Sequence, residues 1–200
     1  DKIDRNARYI WFHAASLGEF EQGRPLIERI RKEHPEYRIL QTFFSPSGYE
    51  VRKNYQGADI VCYLPFDTPR NVRCFIEMVN PCMVFFIKYE FWQNYLNTLY
   101  KKGIPVYSVS SIFRPNQIFF RWYGKDYRKV LKTFSHLFVQ NEVSEKLLAS
   151  IGVTDVTIVG DTRFDRVLDI CTVAKDLPLV KAFKGNSKTF VAGSSWGPDE

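Results

Sequence analysis

Imidazoles and thiols are few in this 200-residue chain, with three histidines and four cysteines. Cys62, Cys74, Cys82 and Cys171 form no C-x-x-C pair, and His13, His34 and His136 are scattered. Zinc sites need ligands at close, paired spacing, so no metal site is expected. The same scarcity gives a Ser-His-Asp arrangement little support. The cysteines read as free, buried thiols of a reducing compartment. No apolar run approaches the roughly 18 residues that a membrane span needs. The longest, Cys82 to Ile87, has the length of a strand. A signal peptide, internal repeats and low-complexity segments are also missing. There is no G-x-G-x-x-G, and the glycines of Gly18-x4-Gly23-Arg24-Pro25 have P-loop spacing without its Lys-Ser/Thr. Both ends, Asp1-Lys2-Ile3-Asp4 and Gly197-Pro198-Asp199-Glu200, read as cut, so a longer parent protein is expected.

What is present is ordinary globular material with two biases. Hydrophobic residues make up 45% and charged residues 25%, enough for a sizeable core. Aromatics reach 16%, which serves either an aromatic core or a face turned to lipid or a partner. The net charge of +6 admits an anionic partner, whether nucleic acid, phospholipid or a phosphorylated substrate, without choosing among them.

Strand-length apolar runs alternate with helical patterns from end to end. The strands are expected at Tyr9–Phe12, Arg38–Thr42, Ile60–Leu64, Met83–Ile87, Val106–Val109, Leu137–Val139, Val156–Val159 and Thr189–Ala192. The helices are expected at Phe20–Glu33, Ser47–Asn54, Thr68–Val79, Phe91–Lys102, Gln117–Thr133, Val143–Ile151 and Phe164–Val173. This alternation predicts an α/β fold, a Rossmann-like parallel sheet with helices on both faces. Residues 1–163 form the first domain in this reading. Residues 164–188, with Asp176-Leu177-Pro178 and a polar turn near Gly185, read as a linker, and 189–200 as the first strand and Gly-Ser loop of a second domain.

The chain is organised around Tyr9 to Arg24, a buried strand, small residues at Ala14-Ala15-Ser16, then Gly18-Glu19 and a helix start. In open α/β sheets that junction is where ligands bind. Glu19 either complements the helix dipole or does chemistry there. Ser45, Ser47 and Gly48 open the next helix and either cap it or hold an anion. Lys88 and Glu90 follow a buried strand directly, as a surface ion pair or as a site. From Ser110 to Phe134, six basic residues face one acid, Asp126. On one continuous helix, Phe119, Tyr123, Tyr127, Val130 and Phe134 form an inward stripe, and Arg121, Lys125, Arg128 and Lys132 a basic one. That basic stripe is either a solvated face or a helix lying on an anionic membrane, with Phe120 and Trp122 spare for the interface.

The stretch Trp11-Phe-His-Ala-Ala-Ser-Leu-Gly-Glu-Phe-Glu-Gln-Gly-Arg-Pro-Leu-Ile27 resembles the N-terminal signature of the Kdo transferases, which add 3-deoxy-D-manno-octulosonic acid to the lipid A precursor. Ser45-Pro46-Ser47-Gly48 is similar to the Thr-Pro-Thr-Gly motif of that family, and Glu90, Trp92 and Asn94 match its Glu-Thr-Glu-Leu-Trp-Pro-Asn pattern. Lys88 stands where the family has its first Glu, and Gln93 where it has Pro. Gly160-Asp161-Thr162-Arg163-Phe164-Asp165 resembles Gly-Asn-Leu-Lys-Phe-Asp, so Arg163 falls on the family's Lys. The resemblance implies the acceptor-side half of a GT-B fold. It implies CMP-Kdo as donor substrate, a lipid A precursor as acceptor, no cofactor and no nucleic acid. It places the protein at the anionic, cytoplasmic face of the bacterial inner membrane. Glu19 would be the general base, with Glu90 and Arg163 supporting the transition state. Gly18, Ser45, Ser47, Gly48, Lys88 and Arg114 would face the acceptor. Ser194 and Ser195 would face the donor, and Phe120, Arg121, Trp122 and Lys125 the membrane. Two other readings remain open: a non-catalytic module for anionic lipid, and a GT-B transferase using another nucleotide sugar.

Overall fold

The computed structural model describes residues 3–172 and 176–191. Two compact units divide the chain, 1–167 and 168–200. The first is built on a seven-stranded sheet of β1 (Tyr9–Ala14), β2 (Arg38–Phe43), β3 (Ile60–Tyr63), β4 (Pro81–Ile87), β5 (Val106–Ser111), β6 (His136–Val139) and β7 (Val156–Ile158). The order is β3-β2-β1-β4-β5-β6-β7 and every pairing is parallel. The chain runs outward from β1 on one side, then returns and runs outward from β4 on the other. That reversal creates the crevice where ligands bind in such sheets, at the carboxyl ends of β1 and β4.

Between the strands lie α1 (Leu17–Glu33), α2 (Pro46–Arg52), α3 (Pro69–Val79), α4 (Gln93–Lys101), α5 (Lys125–Leu131) and α6 (Glu142–Ser150), with α7 (Arg163–Thr172) after β7. Strand side chains alternate between faces. On β1, Tyr9 and Trp11 enter a core shared with α3 and α4, while Ile10, Phe12 and Ala14 enter one shared with α1. Trp11 is fully buried, edge-on to Phe75, Phe86 and Tyr95 at 5.0–5.6 Å. Phe12 stacks on Phe85 at 4.9 Å. Each such ring contributes about 1.5–3 kcal/mol by leaving water. The aromatic excess is therefore mostly core.

Four expectations change. The helix over Gln117–Thr133 is broken into a 3-10 turn, Ile118–Phe120, and α5. Gly124 makes the break. The Ile118 carbonyl oxygen lies 1.8 Å from where its Cβ would be, so only glycine fits the bend. Phe119, Val130 and Phe134 are buried as expected, but Tyr123 and Tyr127 are exposed. The thiols are free, yet Cys74 and Cys171 are exposed and only Cys62 and Cys82 are partly covered. In the second unit, the linker contains a helix, α8 (Pro178–Lys184), and residues 189–191 form no strand. Ala192 and the Gly-Ser loop with Ser194 and Ser195 lie outside the described residues.

Candidate active site

β1 ends at Ala14, and the chain turns through Ala15 and Ser16 into α1. Glu19, at the third position of that helix, folds back. Its Oε2 accepts the backbone N–H groups of Ala15 at 2.6 Å and Ser16 at 3.3 Å. This is half of a capping box, and it aims the carboxylate over the strand end. Those two bonds favour the ionised form, yet the pKa of Glu19 is raised. Burial is the largest cause and the charge of Glu90 the second, and together they outweigh the N–H groups and Lys88. A half-buried carboxylate with raised basicity is what proton abstraction near neutral pH needs.

Glu90 follows β4, the strand beside β1 across the switch point. It makes no ion pair with Lys88 among the described residues. Its Oε2 instead accepts from the Trp92 indole N–H at 2.5 Å and meets His13 Nε2 at 3.2 Å. Sequence reasoning set His13 aside as one of three scattered histidines. It is fully buried at the end of β1, opposite Thr42 on β2, and its Nδ1 meets the Thr42 hydroxyl at 2.9 Å. The available signal was its place in the strand that leads into Glu19.

Lys88 and Ser110, at the ends of β4 and β5, have φ of 65° and 59°. Non-glycine residues held in that region store strain, which concentrates at functional sites. The Ser111 hydroxyl fixes the turn by donating to the Lys88 carbonyl at 2.7 Å. The Lys88 charge acts favourably on both Glu19 and Asp161. Arg163 is engaged rather than free: its guanidinium forks onto Asp161, with Nε 3.0 and 2.9 Å from the two oxygens. That pairing holds Asp161 below the usual carboxylate range and raises Arg163. Asp161 was not foreseen.

The other expected residues divide. Ser45 caps α2, its Oγ accepting the Ser47 N–H at 3.3 Å and lying 2.9 Å from the Ser47 hydroxyl. Gly48 is buried under Phe43 and has a packing role, while Gly18 is exposed beside Glu19. The Arg114 side chain is exposed with no hydrogen bond among the described residues. Trp122 is 90% exposed, and Arg121 and Lys125 are exposed beside it. Phe120 does not belong to that surface, since its ring packs on Phe113 and Phe119. Arg128 also leaves the basic stripe, clasping the carbonyls of Phe119 and Arg121. No three His, Cys, Asp or Glu side chains converge as a cation site among the described residues. No described helix is long and apolar enough to cross a membrane.

A profile of the family described as 3-deoxy-D-manno-octulosonic-acid transferase (Kdo transferase) matches residues 1–166. The chain belongs to the Kdo transferase family. It is 28% identical over 162 residues to the Kdo transferase of Haemophilus influenzae, covering 78% of this chain and 38% of that protein. It is also 28% identical over 187 residues to that of Aquifex aeolicus, covering 92% and 46%. This member of the family thus spans less than half the length of the curated relatives it matches. The fold is shared with the UDP-GlcNAc 2-epimerase of Neisseria meningitidis (TM-score 0.62, 15% identity, 89% of this chain and 53% of that one). Overlap with about half of such a protein identifies the sheet as one Rossmann-like half of the GT-B architecture.

Proposed function

We propose that this chain is the acceptor-side half of a Kdo transferase in which Glu19 is the general base. The lipid A precursor's hydroxyl attacks the anomeric carbon of CMP-Kdo. As that bond forms, Glu19 takes the hydroxyl proton, the bond to the CMP phosphate breaks, and CMP leaves with the electron pair. The observation that carries this reading is the placement of Glu19: half-buried, raised in pKa, and electrostatically coupled to Glu90 across the switch point. Glu90 steadies positive charge on the sugar. Lys88, whose charge acts on Glu19, meets phosphate charge on the acceptor. Arg163 meets the leaving phosphate by exchanging Asp161 for it. Gly18, Ser47 and Arg114 are exposed toward solvent and available to the acceptor. Ser194 and Ser195 contribute to the donor. Because the chain spans less than half of its curated relatives, the proposal expects these 200 residues by themselves to transfer no Kdo, and turnover of CMP-Kdo by them would overturn that expectation.

The exposed Trp122, Tyr123 and Tyr127, with Arg121 and Lys125, support docking on the anionic cytoplasmic face of the inner membrane, where the acceptor resides. A donor screen tests the proposal: full-length protein, lipid A precursor in anionic vesicles, and CMP-Kdo against other nucleotide sugars. Product from CMP-Kdo alone is expected. Turnover of another nucleotide sugar makes it a different GT-B transferase, and vesicle binding without any turnover leaves a lipid-binding module.

A further inference from the structure

We infer that His13 is a positioning residue: a hydrogen-bonded chain from Trp11 through Thr42 and His13 fixes Glu90 against Glu19. This rests on the transferase reading of that carboxylate pair. Trp11, Thr42 and His13 are all fully buried in the neighbouring strands β1 and β2. A polar group there is unfavourable unless bonded, and an apolar side chain packs at no such penalty. Here the polar groups form an unbroken line that ends on a carboxylate of the site.

The donors can be assigned from the line itself. An indole N–H only donates, so Trp11 Nε1, at 2.8 Å, occupies one lone pair of the Thr42 hydroxyl. The hydroxyl proton then has two acceptors, His13 Nδ1 at 2.9 Å and the Phe12 carbonyl at 3.3 Å. If it goes to Nδ1, the imidazole carries its own proton on Nε2. If it goes to Phe12, Nδ1–H donates to Thr42, and Nε2 faces a carboxylate oxygen without repulsion only when it too is protonated. Both arrangements put an N–H on Nε2 toward Glu90, 3.2 Å away. The Trp92 N–H reaches the same Oε2, so two donors converge on one oxygen. Among the described residues no donor meets Oε1, which is left for substrate. Phe86 and Trp92 hold the imidazole edgewise, both at 5.6 Å. The carboxylate so fixed is the one whose charge helps keep Glu19 basic.

Kinetics on the full-length protein test this. His13→Gln keeps an amide N–H near the position of Nε2–H, and His13→Leu fills the space without one. His13→Leu is expected to lower kcat about 10²-fold, the scale of a misplaced reacting group. KM for CMP-Kdo and for the lipid acceptor should stay within about threefold, and His13→Gln should recover most of the loss. In a Glu90→Gln background His13→Leu should add nothing, since it acts through Glu90. Additive losses, or a His13→Leu kcat within about threefold of wild type, overturn the inference. If the wild-type protein transfers no Kdo, the transferase reading falls instead. The His13 arrangement is then decided by long-range ¹H–¹⁵N NMR of the His13 imidazole in the full-length protein. A proton on Nε2 of His13 is expected, and an unprotonated Nε2 refutes the arrangement. That measurement needs no variant, so a His13→Leu protein that fails to fold leaves the question decidable.

Discussion

Gly48→Ala is the perturbation that best joins the packing of this fold to its site. A methyl group at position 48 would lie 2.3 and 2.7 Å from two Phe43 ring carbons and 3.2 Å from the Leu17 backbone nitrogen. Phe43 is fully buried and leans on Phe20 at 5.5 Å, so its ring has little room to yield. Overpacking of that kind costs about 1–3 kcal/mol. For a unit of about this size, each kcal/mol lowers the melting temperature by about 2–4 °C, giving a fall of about 2–12 °C. Any relief must push α2 away from the β1–α1 turn. There the Ser45 N–H is bound to the Ala15 carbonyl at 2.7 Å, next to the N–H groups that hold Glu19. Gly18→Ala is the control, because nothing lies within 4 Å of its Cβ position. In the first turn of α1 alanine is favoured over glycine by up to about 1 kcal/mol, so the melting temperature should hold or rise. Thermal unfolding followed by circular dichroism reads both. A Gly48→Ala protein melting within about 1 °C of wild type would refute the packing argument. Acceptor KM raised by Gly18→Ala at unchanged stability would mark Gly18 as a contact for substrate.

Three further outcomes follow from the site. Glu90→Gln removes the second cause of the raised Glu19 pKa and leaves burial, so the acid limb of kcat/KM should move to lower pH; an unmoved limb contradicts the coupling. Lys88→Gly should relax the φ of 65° and stabilise the fold by about 1 kcal/mol, while KM for the lipid acceptor rises because the cation is lost. Greater stability with unchanged KM would leave Lys88 without a role in binding. Lys125→Ala should weaken binding to anionic vesicles by about 1 kcal/mol, roughly fivefold, and leave turnover of a detergent-dispersed acceptor intact.

Much of the sheet was legible because its signals are local. The runs around Tyr9, Arg38, Val106 and Val156 are short, apolar and bounded by polar turns, and all four are strands. The Gln117–Thr133 stretch was misread because its helical spacing of aromatics is real on both sides of Gly124. The bend is dictated by one close approach, to the Ile118 carbonyl, that spacing does not report. Glu19 was legible from its place after a strand. The pKa shift was not, because it comes from burial and from a residue 71 positions away, at Glu90. His13 and Asp161 were missed for a related reason. Their importance lies in partners on other strands or across a turn, and neither residue type nor spacing announces those partners.

Glu19→Gln in the full-length protein, assayed with CMP-Kdo and a lipid A precursor, bears most directly on the proposed base. Folded Glu19 holds its proton more tightly than the unfolded chain does. Wild-type stability is therefore lost as pH rises from the ordinary glutamate value through the raised one, and the amide escapes that loss. The variant should accordingly fold, and its stability relative to wild type should improve as pH rises above the ordinary glutamate range. Its kcat should fall by about 10²–10⁴ with substrate KM values little changed. A folded Glu19→Gln protein that transfers Kdo at the wild-type rate would contradict the account.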